Sequence, residues 1–223
     1  MGIKVIELKK SIFEDNDRRA DVLRRELHNK GVYLVNVMSS PGAGKTTTLT
    51  ALINRMKETY RIGVMEADID GDCDTDRIIK DTGVRAIQLH TDGMCHLDSG
   101  MTRTGLEGVD ISSLDLIFLE NVGNLVCPAE FDTGAHLNAV LLSIPEGDDK
   151  PLKYPLMFEK ADVVIVTKID TLPYFDFDMD RFTSYIRLRN KDCRIISVSG
   201  KTGEGIDTLK CWLEEKIKDW RKN

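Results

Sequence analysis

The sequence predicts an α/β fold: a doubly wound, mainly parallel β-sheet covered by helices on both faces, which gives three layers. Short apolar runs rich in β-branched residues recur along the chain, and segments with helical spacing of apolar residues lie between many of them. Several runs are almost continuously apolar, which is typical of strands that are buried on both faces. Alternating strands and helices indicate a parallel sheet, in which ligands bind at the carboxyl ends of the strands.

An amphipathic helix is predicted first, over residues 11–29, with Ala20, Leu23 and Leu27 on one side and Gly31 at its end. The strands that follow are predicted at residues 32–38, 62–67, 84–89, 114–119, 139–144, 163–167 and 194–198. The last helix has the clearest apolar stripe, which is formed by Ile206, Leu209, Leu213, Ile217 and Trp220.

Length and composition exclude several classes of protein. A chain of 223 residues fits one domain, which we place at residues 31–223 after a helical extension over 1–30. A formal charge of −6 argues against a general DNA-binding protein. The longest apolar runs, at 116–119 and 163–166, are too short to span a membrane, and the N-terminus lacks the apolar core of a signal peptide. Five cysteines without a CxxC pair indicate reduced thiols. We therefore expect a cytoplasmic protein that binds neither nucleic acid nor membrane.

A phosphate-binding loop is predicted between the first strand and the next helix. In the segment SSPGAGKTTT at 39–48, Gly44, Lys45 and Thr46 match the end of the pattern G-x-x-x-x-G-K-[ST]. Ser39 stands where that pattern has its first glycine. The glycines would let backbone N–H groups face a phosphate, with the lysine charge and the threonine hydroxyl available to phosphate and Mg²⁺. We therefore predict a P-loop NTPase, with a catalytic role for Lys45 and nucleotide contacts from Gly42, Ala43, Gly44, Lys45, Thr46 and Thr47.

Acidic residues follow the second predicted strand. Glu66, Asp68 and Asp72 would lie at the carboxyl edge of the sheet, beside the phosphate loop. Carboxylates at this position hold Mg²⁺ or orient an attacking water in phosphoryl transfer. The alternative for any single aspartate is a solvated acidic loop.

The fourth predicted strand ends in ENVGN, which resembles the D-x-x-G switch of GTPases with Glu120 in place of Asp. The amide of Gly123 would reach the γ-phosphate. We predict a magnesium site formed by Thr46, Asp68 and Glu120, and an attacking water positioned by Asp68, Asp72 or Glu120.

A base-binding motif follows the sixth predicted strand. The segment TKID at 167–170 resembles the guanine motif N-K-x-D. Asp170 would accept from N1–H and the 2-amino group of guanine, whereas adenine would leave this carboxylate unpaired. The stem of Lys168 would lie against the purine, and Thr167 replaces an asparagine that braces the phosphate loop. A later loop that would pack on the base contributes Ser199, Gly200 and Lys201.

Cys95, His96 and Cys127 form a candidate metal site. Two thiolates and one imidazole suit Zn²⁺ or Ni²⁺, but spacing alone is weak evidence, and two buried cysteines with a capping histidine are the alternative. Cys127 follows Gly123 by four residues, so a metal ligand there would move when the γ-phosphate is lost.

Taken together, these motifs resemble the hydrogenase maturation nickel-incorporation GTPase family (HypB). The resemblance covers residues 32–205 and is carried by SSPGAGKTT, EADIDGDCDTDRI, CHLD, ENVGNLVCP, EGDDKPLKYP and TKID. It implies a GTPase that hydrolyses GTP slowly, forms a homodimer promoted by GTP, and binds Ni²⁺ or Zn²⁺ through Cys95, His96 and Cys127 near the dimer interface. It also implies delivery of nickel to the large-subunit precursor of nickel–iron hydrogenase, beside the small nickel metallochaperone HypA.

The chain departs from this family in two places. Many relatives carry an N-terminal cysteine motif or a histidine-rich stretch, but the first 72 residues here contain no cysteine and only His28. Asn124 stands where many small GTPases have a water-orienting glutamine, so we expect slow intrinsic turnover. Lys150 and Lys153 are candidates for reaching phosphate across a dimer, with a solvated charged loop as the alternative.

Three other functions stay open at this point: a small-molecule kinase, a non-catalytic metal-binding module with a structural nucleotide, and a GTPase that serves urease or a cobalamin enzyme. The guanine-type TKID motif argues against the kinase. CHLD and the cysteine of ENVGNLVC favour hydrogenase maturation.

Overall fold

The computed structural model of the chain describes residues 8–68 and 73–222. Within them, seven strands form one sheet in the order β3-β2-β4-β1-β5-β6-β7, and all neighbouring strands are parallel. The strands are β1 (Tyr33–Ser39), β2 (Ile62–Asp68), β3 (Arg85–His90), β4 (Leu116–Glu120), β5 (Leu137–Ser143), β6 (Val163–Thr167) and β7 (Arg194–Ser197). The predicted doubly wound α/β fold is confirmed, and the predicted strand ends differ from the observed ones by at most two residues.

Helices cover both faces of this sheet. They are α1 (Leu8–Asn29), α2 (Lys45–Met56), α3 (Cys73–Thr82), α4 (Ser99–Glu107), α5 (Cys127–Glu130), α6 (Lys150–Lys153), α7 (Pro155–Glu159), α8 (Met179–Arg187) and α9 (Ile206–Trp220). None of the helices in the described ranges combines the length and apolar character that crossing a bilayer requires.

The strand order creates the crevice that positions the site. β1 lies between β4 and β5 in the sheet. The strands β2, β3 and β4 lie on one side of β1, and β5, β6 and β7 lie on the other, so the direction in which strands are added reverses at this point. Ligands bind at such a switch point, outside the carboxyl ends of the strands. The register pairs Val37 of β1 with Glu120 of β4, and Glu120 with Glu66 of β2. Two carboxylates from different strands are thereby placed side by side.

Helix α1 packs against α4 and β1. Ala20, Leu23 and Leu27 are at most 3 % exposed, which confirms the predicted apolar face. His136 fastens this helix to the sheet: its Nδ1 accepts from the Leu34 N–H, and its Nε2 lies 3.1 Å from the carbonyl oxygen of Arg24. The division into an extension over 1–30 and a domain over 31–223 stays a prediction.

Candidate functional site

The phosphate loop connects β1 to α2. Gly42 and Gly44 have φ angles of +74° and +89°, in the left-handed region where side chains are strained. Lys45 Nζ donates to Ser39 Oγ at 3.0 Å, so the serine that departs from the P-loop pattern holds the loop lysine. The loop therefore has the curled backbone that anion binding at a helix N-terminus requires.

Three carboxylates gather next to this loop. One oxygen from each of Glu66, Asp74 and Glu120 lies within 4.8 Å of the others. Thr46 Oγ1 donates to Glu120 Oε1 at 3.1 Å, while Glu120 Oε2 is buried without a hydrogen-bond partner among the described residues. Repelling acids with an unpartnered oxygen and a nearby threonine hydroxyl are a donor set that fits Mg²⁺.

Burial dominates the electrostatics of these acids. It raises the pKa of Glu120 to about 7, and the charge of Glu66 adds to this rise, whereas Lys45 opposes it. Burial also raises the pKa of Glu66, and the charge of Asp68 acts in the same direction. A bound cation would offset this cost of burying negative charge.

The predicted acidic residues are placed unevenly. Asp68 ends β2 close enough to Glu66 to raise its pKa. Asp72 lies outside the described residues. Asp74 was not predicted, although it belongs to the same acidic run; it lies at the start of α3, and only the folded chain brings it to Glu66 and Glu120.

The loop after β4 touches the phosphate loop. A Cβ added to Gly123 would lie 3.0 Å from Pro41 Cγ and 3.1 Å from the Pro41 nitrogen. The backbone at residue 123 is therefore packed directly on the phosphate loop, which is where a sensor of the γ-phosphate has to be.

The predicted base-binding residues lie at the same edge of the sheet. Ser199 Oγ donates to Asp170 Oδ1 at 2.7 Å, which fixes the carboxylate. Lys168 Nζ donates to the carbonyl of Gly42 at 2.7 Å. A cleft of about 390 Å³ is lined by Gly44, Thr47, Thr48, Thr167, Lys168, Asp170, Thr171, Ser199, Gly200 and Lys201.

Thr167 keeps a brace on the phosphate loop. Its Oγ1 donates to the carbonyl of Ala43 at 2.5 Å. The threonine hydroxyl therefore makes a hydrogen bond to the phosphate loop where the asparagine of the N-K-x-D motif would otherwise brace it. Gly200 packs closely as well, because an added Cβ would lie 3.0 Å from the backbone oxygen of Thr47.

The structure brings the predicted thiol and imidazole ligands together from two loops: the one between β3 and α4, and the one between β4 and β5, which contains the short helix α5. Cys95 Sγ lies 4.0 Å from His96 Nδ1. A hydrogen bond with Cys95 raises the pKa of the Cys127 thiol, so the two thiols are neighbours. Burial lowers the pKa of His96, which favours the neutral imidazole that binds metals. In the described part of the chain, the only set of three potential ligand atoms that all lie within 4.8 Å of one another is that of Glu66, Asp74 and Glu120. The ligand atoms of Cys95, His96 and Cys127 are therefore farther apart than those of the three carboxylates.

The segment after β5 is tied to the phosphate loop, a link that was not predicted. Glu146 accepts from the Ser40 hydroxyl, and Lys150 Nζ donates to the Glu146 carbonyl at 2.5 Å. Lys153 forms an ion pair with Asp149. Both lysines are engaged within their own segment here, and their action across a dimer stays a prediction.

Comparisons with known proteins agree with this arrangement. The family model "CobW/HypB/UreG, nucleotide-binding domain" matches residues 33–197. The hydrogenase maturation factor HypB of Azotobacter chroococcum is 40 % identical over 213 residues, which are 96 % of this chain and 70 % of that protein. The hydrogenase/urease maturation factor HypB of Helicobacter hepaticus is 42 % identical over 217 residues, 96 % of this chain and 88 % of that protein.

A solved structure gives the same result. The crystal structure of HypB from Helicobacter pylori in complex with nickel superposes with a TM-score of 0.87 at 37 % identity, over 92 % of this chain and 96 % of that one. The chain therefore belongs to the HypB family of hydrogenase maturation factors and contains the CobW/HypB/UreG nucleotide-binding domain.

Proposed function

We propose that this protein is a Mg²⁺-dependent GTPase that acts as a nickel metallochaperone in the cytoplasm. Its nucleotide state controls both the binding of Ni²⁺ or Zn²⁺ and the formation of a homodimer. It passes nickel to the large-subunit precursor of nickel–iron hydrogenase and works beside HypA. Membership of the HypB family supports this proposal, as does the nickel bound by the Helicobacter pylori relative.

The fixed carboxylate of Asp170 supports a preference for GTP. Ser199 occupies part of one oxygen and orients the group at the rim of the cleft. The remaining lone pairs accept from N1–H and the 2-amino group of guanine. Adenine has neither donor, and binding it would desolvate the carboxylate without compensation.

The buried acids beside Thr46 support a magnesium site. Thr46 and Glu120 would hold the ion, and Asp68 lies near Glu66, the strand neighbour of Glu120. An ion held there would neutralise negative charge on the nucleotide phosphates during transfer. Lys45 adds its charge at the phosphate loop, and Asp68, Asp72 or Glu120 orients the attacking water.

One observation carries the coupling of nucleotide to metal: residue 123 packs on Pro41 of the phosphate loop, and Cys127 follows it by four residues and lies beside Cys95. A shift of the phosphate loop on loss of the γ-phosphate would move Cys127 relative to Cys95 and His96. The open geometry of these three ligands suits a cargo site that a second copy of the chain completes.

The test is the affinity for Ni²⁺ and for Zn²⁺ with Mg·GDP and with a non-hydrolysable GTP analogue. We expect the affinity to change about 5- to 150-fold between the two nucleotides. The change should disappear in Cys127→Ala and persist in Cys211→Ala, which removes an exposed cysteine on α9. Equal affinities in the wild-type protein would refute the coupling and leave a metal that is structural or incidental.

A second client is favoured by one observation, because the Helicobacter hepaticus relative is named a hydrogenase/urease maturation factor. Nickel-loaded protein should be offered separately to the hydrogenase large-subunit precursor and to apo-urease. Transfer to urease alone would replace the proposed client.

Phosphate release from GTP without an acceptor distinguishes the GTPase from a kinase and from a module with a structural nucleotide.

A further inference from the structure

Helix α1 contacts both loops that carry the thiol and imidazole ligands. Asn16 of α1 is 8 % exposed, and its Oδ1 accepts from the Ser99 N–H at 3.0 Å and the Ser99 hydroxyl at 2.8 Å. Its Nδ2 donates to the carbonyl of Asp132 at 2.9 Å. Ser99 follows His96 by three residues, and Asp132 follows Cys127 by five. One side chain therefore joins the two ligand-bearing loops.

This bridge is costly to remove. Ser99 is the first residue of α4, so its N–H has no partner within that helix, and the residue is 2 % exposed. Without the Asn16 amide, a buried N–H on one loop and a carbonyl on the other lose their partner. The loops would then separate or rearrange to recover these hydrogen bonds.

An aromatic contact adds to the bridge. The His96 ring stacks on Phe131 with a centroid distance of 3.9 Å and an interplanar angle of 13°. Phe131 in turn contacts Phe13 of α1, with centroids 5.0 Å apart. Phe131, which belongs to the Cys127 loop, therefore sets the plane of the His96 imidazole. Phe13 of α1 in turn contacts Phe131.

We propose that Asn16 and Phe131 are positioning residues of the metal site, and that α1 holds the Cys95–His96 loop and the Cys127 loop in register. Residues that orient metal ligands affect metal affinity although they do not touch the ion. This inference rests on the proposed function in one respect, namely that Cys95, His96 and Cys127 are the ligands.

The test measures Ni²⁺ affinity of metal-free protein saturated with Mg·GDP, together with the thiolate-to-nickel charge-transfer absorption. We expect Asn16→Ala and Phe131→Leu to weaken Ni²⁺ binding about tenfold or more and to alter the absorption band. Phe131→Tyr keeps the stacked ring and should restore both. Affinities of Asn16→Ala and Phe131→Leu that match the wild type would overturn the proposal.

Asn190→Ala is the matched control. The Asn190 side chain donates to the carbonyls of Phe158, Glu159 and Ala161 and accepts from the Cys193 N–H, in hydrogen bonds of 2.8 to 3.2 Å. Its removal should lower the melting temperature as Asn16→Ala does, but leave Ni²⁺ affinity unchanged. Equal weakening in this control would show that the effect is a general loss of stability and would refute a positioning role.

Hydrogen exchange separates this inference from the proposed function. The proposed function fails if the wild type does not bind Ni²⁺, or if Cys127→Ala leaves its Ni²⁺ affinity unchanged. The role of α1 is then decided by exchange at residues 95–99 and 127–132 in Asn16→Ala. Faster exchange in both segments supports the bridge, and unchanged exchange in either one refutes it.

Discussion

Replacing Glu120 by Gln removes a buried negative charge beside the phosphate loop. Glu120 is 2 % exposed, and its Oε2 has no hydrogen-bond partner in the described part of the chain. Burial raises its pKa to about 7, and the charge of Glu66 contributes, whereas Lys45 opposes the rise. The carboxylate is therefore destabilising in the metal-free protein, although it is a proposed ligand of Mg²⁺.

The magnitude follows from the pKa. The rise from 4.5 to about 7 corresponds to about 3 kcal/mol. Because the unfolded chain loses this proton at lower pH than the folded one, the free energy of unfolding falls as pH rises from 4.5 to about 7. Glutamine carries no such cost. At roughly 2–4 °C per kcal/mol, the variant should melt several degrees above the wild type at pH 8 and close to it at pH 5.

The assay is thermal unfolding of nucleotide-free protein in a chelator at both pH values. Glu58→Gln, at an exposed position on the surface, is the control and should leave the melting temperature unchanged at either pH. Addition of Mg·GTP should reverse the order, because the wild type gains the energy of binding and Glu120→Gln does not. Phosphate release by the variant should fall to background.

Two results would refute the reasoning. Equal melting temperatures at pH 8 would show that the carboxylate is not destabilised by its burial. A variant that melts higher but releases phosphate from Mg·GTP at the wild-type rate would remove Glu120 from the proposed magnesium site.

Three other predictions concern the base, the switch and the N-terminal helix. Asp170→Ala should weaken GTP binding at least about 100-fold and leave ATP binding almost unchanged, as measured by competition with a fluorescent nucleotide; an equal loss for both would contradict guanine recognition. Gly123→Ala places a Cβ 3.0 Å from Pro41, so phosphate release should fall while the protein stays folded, and an unchanged rate would dissociate this contact from turnover. Burial lowers the pKa of His136 to about 4, so its contribution to stability, present above pH 6.5, should be lost by up to about 3 kcal/mol as pH falls from 6.5 to 4. In urea unfolding, the free energy of unfolding of His136→Gln should not show this fall between pH 6.5 and 4. A fall of equal size in the variant and the wild type would contradict the prediction.

The phosphate loop and the sheet could be predicted because their signals are local. A P-loop is one contiguous motif, and a strand covered on both faces is a short apolar run. The base motif also lies within a few residues of a strand end, so Lys168 and Asp170 were placed at the correct edge of the sheet. The open thiol–imidazole set was proposed from residue type, and the structure adds that its two loops meet.

Contacts between distant segments could not be predicted. The three-carboxylate cluster depends on the register that pairs Glu66 with Glu120 and on the position of Asp74 at the start of α3. The role of α1 at the metal loops depends on where Asn16 falls in space, more than 80 residues along the chain from Ser99.

The sequence by itself determined the fold class, the family and the chemical groups at the carboxyl edge of the sheet, because each of these is encoded in local pattern and residue type. The tertiary structure decided which groups face one another, and with it the burial of Glu120, the brace from Thr167 and the bridge by Asn16. Hydrogen bonds and charge interactions act over a few ångströms, and only the packed chain brings groups that are distant in sequence within that range.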